Sequence, residues 1–213
     1  MKPFSKNQLE RYPLYLRYFK ELQEQGFQLA PSPAIASRLG ISEELVRKDL
    51  QAVCKEKGRP RKGRDVASTI AALERFLGYG KPEHAILIGV GNLGGALLHF
   101  GGFADSGLCF DAAFDASYQV SGKQIAGKNV YPMSALPSYI KAKKVRLAVI
   151  TVPSEAAQSV ATLLVENGIV GIWNFAPVTL KVPKSVVVEN VDLSSSLAVL
   201  FHHMKEQGGP NHG

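Results

Sequence analysis

Three glycines in the middle of the chain have the spacing of an anion-binding turn. Residues 85–94 form an apolar run that ends in the pattern Gly89-x-Gly91-x-x-Gly94. In a turn from strand to helix, one glycine permits the tight bend, one admits a pyrophosphate to the backbone, and one lets helix and strand pack closely. The free N–H groups at the helix start would then face the anion. The pattern predicts a nucleotide-binding loop that contains Gly89, Val90, Gly91, Asn92, Leu93, Gly94 and Gly95.

An acidic residue follows this loop at the distance expected for a ribose ligand. The apolar stretch Leu108–Phe114 is a predicted strand, and it runs into Asp115 about 20 residues beyond the glycines. A carboxylate at this position would accept hydrogen bonds from the two ribose hydroxyls and would repel a 2′-phosphate. Asp115 therefore predicts NAD⁺ and NADH as ligands in preference to their 2′-phosphorylated forms.

Two further predicted strands, residues 145–151 and 169–173, run into turns that contain a proline. Ligands bind at the carboxyl ends of the strands in an open parallel sheet, so both turns should lie on the same edge as the glycine loop. Strand termination alone explains the two prolines, whereas an Asn174 amide beside a nicotinamide would read its carboxamide. The predicted ligand contacts in these turns are Thr151, Val152, Pro153, Asn174, Phe175, Ala176 and Pro177.

The residues expected of a hydride-transfer enzyme are missing from this edge of the predicted sheet. Such an enzyme needs an acid or base and a cation that anchors the substrate beside the nicotinamide. The five histidines, at positions 84, 99, 202, 203 and 212, fall elsewhere in the predicted fold. We therefore expect no catalytic residues, and a dinucleotide that is bound without being turned over.

The first 80 residues differ in charge from the remainder. They contain 15 Lys and Arg against 9 Asp and Glu, whereas residues 81–213 contain 10 against 9. Within the basic part, Ser32–Leu39 and Glu43–Cys54 are predicted helices on either side of a turn at Gly40. This is the layout of a helix-turn-helix, whose second helix enters a DNA major groove. A plain helical hairpin is the alternative.

A strongly basic segment follows the second of these helices. Residues 55–64 contain six Lys or Arg, together with Gly58, Pro60 and Gly63, which favour a turn or short hairpin. A winged helix uses such a hairpin to reach the DNA backbone or minor groove; a disordered basic linker is the alternative. The winged-helix interpretation predicts double-stranded DNA as a partner. Its predicted contacts are Ser42, Arg47, Lys48, Arg59, Arg61 and Lys62.

The other helices are predicted from apolar residues spaced three or four apart. A first helix covers residues 7–25 and starts or bends at Pro13, and another covers residues 66–77. A last amphipathic helix follows the sheet and either docks on its own domain or crosses to a partner subunit. The predicted N-caps are Ser32, Ser42 and a residue near Ser194.

Cysteine usage and hydropathy indicate a cytoplasmic protein. Cys54 and Cys109 lie far apart without the spacing of a metal site, so we expect two free thiols and no bound metal. No apolar run approaches the roughly 20 residues of a membrane span, and the N-terminus lacks the apolar core of a signal peptide. The predicted fold class is α/β, with an N-terminal winged-helix domain followed by a Rossmann domain built on a parallel sheet.

With these residues established, the chain closely resembles the Rex family of bacterial redox-sensing transcriptional repressors. The matching segments run in family order over nearly the whole chain. They are Tyr15-Leu-Arg17-Tyr, Val46-Arg-Lys-Asp-Leu50, Gly89-Val-Gly-Asn-Leu-Gly94, Phe114-Asp115, Thr151-Val-Pro153, Ala157-Gln158, Gly168-Ile169, Asn174-Phe-Ala-Pro177 and Val191-Asp-Leu-Ser194.

The resemblance implies a homodimer that binds operator DNA when it is empty or holds NAD⁺ and is released by NADH. It implies a winged-helix domain over residues 1–80, a Rossmann domain over 81–192, and a C-terminal helix over 193–207 that is swapped onto the partner subunit. We expect residues 208–213 to be a disordered tail.

The resemblance also implies three residues that link the DNA-binding and core domains of the dimer. Arg17, Phe100 and Asp192 stand where the family has an arginine, a tyrosine and an aspartate. Phe100 lacks the hydroxyl that would bond to Asp192 of the partner, so the coupling contact departs from the family pattern. The segment after Asp49-Leu50 departs as well, which implies a different DNA site or affinity.

Two other functions remain compatible with the sequence. An NAD-dependent oxidoreductase with a basic N-terminus would turn over NADH in the presence of its substrate. A CoA-binding Rossmann module, as in acyl-CoA synthetases, would bind CoA more tightly than NADH, although Asp115 is an unfavourable neighbour for the CoA 3′-phosphate.

Overall fold

The computed structural model describes residues 4–54 and 63–207. These residues form two compact units, which divide between Lys81 and Pro82. None of the helices among the described residues combines the length and hydropathy needed to cross a membrane.

The N-terminal unit contains four helices and one pair of short strands. Its elements are α1 (Lys6–Glu24), β1 (Leu29–Ala30), α2 (Ser32–Leu39), α3 (Glu43–Val53), β2 (Arg64–Asp65) and α4 (Val66–Leu77). Its core is rich in aromatic side chains, and Tyr12, Tyr15 and Phe19 of α1 are completely buried in it. The strands β1 and β2 are antiparallel, and they bring the chain after the predicted basic hairpin back beside the chain before α2.

Two features of the predicted helix starts in this unit are corrected: α1 does not start at Pro13, and Ser32 is not the N-cap of α2. Helix α1 begins at Lys6, where Ser5 caps it, and Pro13 lies inside the helix without ending it. The proline ring is exposed and the helix buries three aromatic residues that lie on either side of it, so packing outweighs the one lost backbone hydrogen bond. Helix α2 has Pro31 rather than Ser32 at its N-cap, and Ser32 and Pro33 are its first two residues.

The turn between α2 and α3 forms as predicted. Gly40 adopts a left-handed conformation with φ +65°, which ends α2 at low steric cost. The Ser42 hydroxyl then accepts a hydrogen bond from the Leu45 N–H at 3.3 Å and caps α3. The order of helices and the β1–β2 pair is that of a winged helix. The predicted wing residues 55–62 lie outside the described part of the chain.

The C-terminal unit contains a seven-stranded sheet in the order β5-β6-β4-β3-β7-β8-β9. All neighbouring strands are parallel except β5, which pairs antiparallel with β6. Its strands are β3 (Glu83–Ile88), β4 (Leu108–Asp115), β5 (Gln124–Ile125), β6 (Lys128–Pro132), β7 (Leu147–Ile150), β8 (Gly171–Asn174) and β9 (Val187–Asn190). Apart from β5, this is the strand order of a doubly wound dinucleotide-binding sheet.

Helices join the strands and cover both faces of the sheet. They are α5 (Asn92–His99), α6 (Gly102–Asp105), a short 3₁₀ helix (Met133–Ala135), α7 (Leu136–Lys143) and α8 (Ser154–Glu166). Ile86 and Ile88 of β3 belong to one apolar cluster, whereas the alternate residues Ala85 and Leu87 belong to another. The central strand is therefore buried on both faces, which explains its uninterrupted apolar sequence.

The last helix, α9 (Leu193–Gln207), follows β9. Its N-cap is Asp192, two residues before Ser194 and so close to the predicted position, because the Asp192 carboxylate accepts from the Ser194 and Ser195 N–H groups at 2.9 and 3.2 Å. The Ser195 hydroxyl also donates to this carboxylate, and its hydrogen bond, together with the two N–H bonds, lowers the pKa of Asp192. The helix exposes about half of each of five apolar side chains, namely Leu197, Val199, Leu200, Phe201 and Met204.

Candidate nucleotide cleft and DNA-recognition helix

The glycine loop has the geometry that its spacing predicts. Gly89 has φ +97°, a conformation that favours glycine. A Cβ at Gly94 would overlap the Gly89 carbonyl oxygen and would lie 2.8 Å from Thr151 Oγ1, so a glycine is required where α5 crosses β3. A Cβ at Gly91 would have nothing within 4 Å. The loop therefore leaves its backbone open at Gly91, where a phosphate can approach the start of α5.

A cleft of about 480 Å³ opens beside this loop. It lies at the carboxyl ends of β3, β4, β7 and β8, the edge at which doubly wound sheets bind their ligands. The described residues that line it are Ile88, Gly89, Gly91, Leu93, Asp115, Ala116, Met133, Thr151, Val152, Pro153, Ala156, Val160 and Phe175.

Eight of the predicted ligand contacts line this cleft, and seven do not. Those that do are Gly89, Gly91, Leu93, Asp115, Thr151, Val152, Pro153 and Phe175. Those that do not are Val90, Asn92, Gly94, Gly95, Asn174, Ala176 and Pro177. Val90 packs into the apolar core instead. Met133 also lines the cleft and was not among the predicted contacts, because the sequence pattern does not predict the strand β6 that carries the chain to that edge.

Asp115 is the one charged side chain among the described residues that line the cleft. One carboxylate oxygen accepts a hydrogen bond from the Val90 N–H at 2.6 Å, and the other accepts from the Ser117 N–H at 2.7 Å. These two bonds fix the carboxylate at the end of β4 beside the glycine loop. The position is the one from which an acidic residue holds a ribose in this type of sheet.

Thr151 ties the glycine loop to the neighbouring strand. Its hydroxyl lies 2.6 Å from the Gly89 carbonyl oxygen and 3.1 Å from that of Ile88, and it has a single proton to donate to them. The Thr151 N–H also donates to the Ile88 carbonyl. Thr151, which is a predicted ligand contact, therefore also supports the glycine loop through the Gly89 carbonyl.

The Asn174 side chain does not face the cleft. It is completely buried, and its amide nitrogen lies within 3.1 Å of the carbonyl oxygens of Ala176 and Val178 and of the Asn190 side-chain oxygen. Its amide oxygen accepts from the Ala176 N–H at 3.1 Å. Because both ends of the amide are used, the prediction that Asn174 reads a ligand carboxamide is wrong. Asn174 holds the turn after β8.

Aromatic side chains form a continuous series from the cleft to the protein surface. Phe175 lines the cleft and lies 4.7 Å, between ring centroids, from Trp173. Trp173 contacts Phe103 at 5.4 Å, and Phe103 contacts Phe100 at 4.8 Å. Phe100 is 59% exposed. The residue that the family resemblance places in the dimer contact is therefore connected to the cleft wall by three ring contacts.

Helix α3 presents the two cations predicted to contact DNA. Arg47 and Lys48 are both exposed, and the Arg47 guanidinium lies 3.4 Å from Glu43 on the same helix. Ser42 caps the helix, as described above. Arg59, Arg61 and Lys62 lie outside the described residues.

A buried carboxylate fixes α3 against α1. Asp49 is 1% exposed and accepts hydrogen bonds from Arg11 at 2.6 and 3.1 Å and from the Tyr15 hydroxyl at 3.0 Å. The Tyr12 hydroxyl donates to the Asp49 backbone carbonyl at 3.1 Å. The hydrogen bond to Asp49 raises the pKa of Arg11. Burial, and then the negative charge of Asp49, raises the pKa of Tyr12 to about 12 and that of Tyr15 further still.

The sequence contains a signal for the buried carboxylate of this pair. Asp49 follows Val46 by three residues and precedes Leu50, so it lies on the apolar face of α3. A charge on such a face needs a buried partner of opposite sign, and Arg11 on α1 supplies it.

The two remaining residues of the predicted dimer contact lie in different units. Arg17 is an exposed residue of α1, and Asp192 caps α9. The predicted contact therefore draws on residues of both units.

Known families match both parts of the chain. Residues 80–178 match the family described as CoA binding domain, and residues 5–51 match the one described as "Putative DNA-binding protein N-terminus". The redox-sensing transcriptional repressor Rex of Porphyromonas gingivalis is 40% identical over 92% of this chain and 90% of its own length. The Rex of Treponema denticola is 38% identical over 90% of this chain and 91% of its own length. The chain belongs to the Rex family of redox-sensing transcriptional repressors.

Solved structures of a Rex-family repressor have the same fold. RSP in complex with β-NAD⁺ and operator DNA is 31% identical, with a TM-score of 0.90 over 97% of this chain and 95% of that one. RSP in complex with β-NADH is 30% identical, with a TM-score of 0.88 over 97% of both chains. The Rex assignment agrees with the winged helix and the doubly wound sheet described above.

Proposed function

We propose that this Rex protein is a DNA-binding transcriptional repressor that senses the ratio of NADH to NAD⁺. It binds operator DNA when its cleft is empty or holds NAD⁺, and NADH releases it. The observation that carries the proposal is that one chain contains both a glycine cleft with Asp115 at its edge and a capped helix with two exposed cations.

On the DNA side, α3 acts as the recognition helix in the major groove. Arg47 and Lys48 contact phosphates or base edges of the DNA. The helix start at Ser42 directs the positive end of the helix dipole toward the DNA backbone. Arg59, Arg61 and Lys62 add contacts from the wing. A homodimer would present two such helices to two half-sites of the operator, one helical turn or a multiple of it apart.

On the ligand side, the strand order sets the direction of the dinucleotide. Asp115 holds the adenosine ribose at the end of β4, and the N–H groups around Gly91 hold the pyrophosphate at the end of β3. The nicotinamide then lies at the ends of β7 and β8, against Phe175. These walls are apolar, so transfer of the cationic oxidised ring from water costs more than transfer of the neutral reduced ring. This difference favours NADH.

Coupling requires that NADH bind one arrangement of the dimer better than another. The exposed apolar face of α9 is suited to exchange onto the partner subunit, where Arg17, Phe100 and Asp192 would meet. Phe100 cannot donate a hydroxyl hydrogen bond, so its part in this contact is apolar. We place the protein in the cytoplasm and assign it no catalytic role; the relatives are named as repressors.

A CoA-binding module is the second candidate, because residues 80–178 match the family described as CoA binding domain. Asp115 argues against it, since a carboxylate at the ribose repels the CoA 3′-phosphate. Competition of CoA against NADH decides between the two. A third candidate, an oxidoreductase, requires oxidation of NADH that depends on an added substrate.

The proposal is tested by a DNA mobility-shift experiment at fixed ionic strength, with NADH or NAD⁺ added to the protein bound to its operator. We expect release by NADH at concentrations at which NAD⁺ leaves the complex intact. Release by both nucleotides alike, or by neither, contradicts the proposal. Size-exclusion chromatography with light scattering tests the homodimer in the same samples.

A further inference from the structure

The turn after β8 carries the one aromatic side chain that lines the described cleft. Phe175 follows Asn174 directly, and its N–H donates to the Ile150 carbonyl at 2.9 Å, which extends the pairing of β8 with β7 by one residue. Beyond this bond the chain leaves the sheet and runs through residues 176–186 to β9. The position of the Phe175 ring therefore depends on what holds this connection.

One side-chain amide holds the beginning of the connection. The Asn174 amide oxygen accepts from the Ala176 N–H, and its two amide protons are shared among the Ala176 carbonyl at 3.1 Å, the Val178 carbonyl at 3.0 Å and the Asn190 side-chain oxygen at 2.8 Å. The amide is fully buried, so water does not replace these bonds if it is removed. Asn174 thus fixes the backbone on both sides of Phe175.

A second side-chain amide holds the far part of the same connection. Gln158 projects from α8 and accepts from the Lys181 N–H at 2.8 Å, while its own amide nitrogen donates to the Lys181 carbonyl at 3.0 Å. This pair of bonds has the donor and acceptor pattern of a strand partner, and it holds a segment that lies outside the strands of the described sheet. The two amides together bracket residues 174–181.

We propose that Asn174 and Gln158 are positioning residues that set the place of Phe175 in the cleft and so determine how tightly the nicotinamide half of the ligand binds. The proposal rests on the proposed function, because it assumes that the nicotinamide lies against Phe175. Neither residue touches the ligand; Asn174 is buried behind the turn, and Gln158 bonds to its backbone. The adenosine and pyrophosphate contacts at Asp115 and Gly91 are made by other strands.

The test compares two ligands that differ in the nicotinamide alone. NADH carries the ring, and ADP-ribose has the same adenosine and pyrophosphate without it. For Asn174→Ala we expect NADH to bind about tenfold more weakly, while ADP-ribose binds within about twofold of wild type. Isothermal titration calorimetry on the full chain measures both. A merely structural role for Asn174 would weaken both ligands alike.

A second variant addresses the same connection from the surface. Gln158 is exposed on α8, so Gln158→Met retains the helix and removes both bonds to Lys181. We expect a smaller loss of NADH affinity, about threefold, again without loss of ADP-ribose affinity. Ser159→Ala is the matched control, because it removes an exposed hydroxyl that bonds to the backbone of the same helix. It should bind both ligands as wild type does.

Trp173, the only tryptophan in the sequence, gives an independent signal. Its ring lies 4.7 Å from that of Phe175, so displacement of Phe175 in the ligand-free variants should shift the tryptophan emission. The control Ser159→Ala should leave the emission unchanged.

Parallel loss of NADH and ADP-ribose affinity in Asn174→Ala, or no loss of either, overturns the inference. If Asn174→Ala does not fold, Gln158→Met decides, and wild-type NADH affinity in it overturns the inference. Wild-type protein that binds ADP-ribose but not NADH instead contradicts the proposed function.

Discussion

The two units of this protein build their candidate sites from different chemical groups, one from side chains and the other from backbone. The N-terminal unit presents exposed side chains, Arg47 and Lys48, on a helix that an ion pair between the half-buried Arg11 and the buried Asp49 holds in place. The C-terminal unit presents backbone at its glycine loop, where close packing leaves no room for a Cβ at Gly89 and Gly94. On the helix, one set of residues is predicted to contact DNA and a different set supports the helix. In the glycine loop, the same backbone is predicted to contact the ligand and also packs closely against its neighbours.

The largest effect that tests this difference between the two units is expected from one methyl group added to the glycine loop. In Gly94→Ala the new Cβ would overlap the Gly89 carbonyl, which forces α5 away from β3. We expect NADH affinity to fall by about 100-fold or more while DNA binding persists in the folded protein. Calorimetry with NADH and a mobility shift with DNA measure the two effects.

Gly95→Ala is the matched control for this variant. It adds the same methyl group to the same helix, at a position where nothing lies within 4 Å. It should bind NADH as wild type does and should stabilise the helix slightly. Equal NADH affinity of the two variants would show that NADH binding does not depend on close packing at Gly94.

The next largest effect concerns the support of the DNA-binding helix. Asp49→Ala leaves the Arg11 guanidinium and the Tyr15 hydroxyl without their buried acceptor. We expect the N-terminal unit to lose about 3 kcal/mol of stability, with protection from hydrogen exchange lost throughout α3, while NADH binding is retained. Hydrogen exchange read by mass spectrometry distinguishes the two units. Glu74→Gln, which breaks an exposed pair with Lys20, should change stability by less than about 1 kcal/mol.

A smaller effect is expected at the surface of the same helix. Arg47→Ala should weaken DNA binding about tenfold and reduce the slope of log affinity against log salt by about one, without loss of stability. Fluorescence anisotropy at several salt concentrations measures both quantities. Arg75→Ala, on the exposed surface of α4, is the control. A stability loss in Arg47→Ala as large as that of Asp49→Ala would contradict the separation of contact from support.

The smallest effect is a dependence of the N-terminal unit on alkaline pH. Burial raises the pKa of Tyr12 to about 12, so folding favours the neutral phenol. Its contribution to stability is complete below the ordinary pKa near 10 and is lost as the pH rises toward about 12. We expect the urea midpoint of Tyr12→Phe to fall less than that of wild type between about pH 9 and about pH 11. Tyr118→Phe, at a side chain that is 89% exposed, should behave like wild type.

The sequence predicted those features that one short segment determines. The glycine spacing, the Ser42 cap and the acidic end of β4 are local patterns, and the structure contains all three. The prediction that Asn174 contacts the ligand was wrong, because its hydrogen-bond partners lie at Ala176, Val178 and Asn190. These partners occupy its amide, and only the folded structure shows that they lie within reach. Met133 was missed for a related reason, since it reaches the cleft through β6, a short strand without a strong apolar pattern.

The central claim is a coupling between two sites, and such coupling acts equally in both directions. The most direct measurement is the affinity of the full-length protein for NADH by calorimetry, with and without saturating operator DNA. We predict that DNA weakens NADH binding by the same factor by which NADH weakens DNA binding, and that NAD⁺ shows a much smaller effect. An NADH affinity that does not change when DNA is bound would contradict the account.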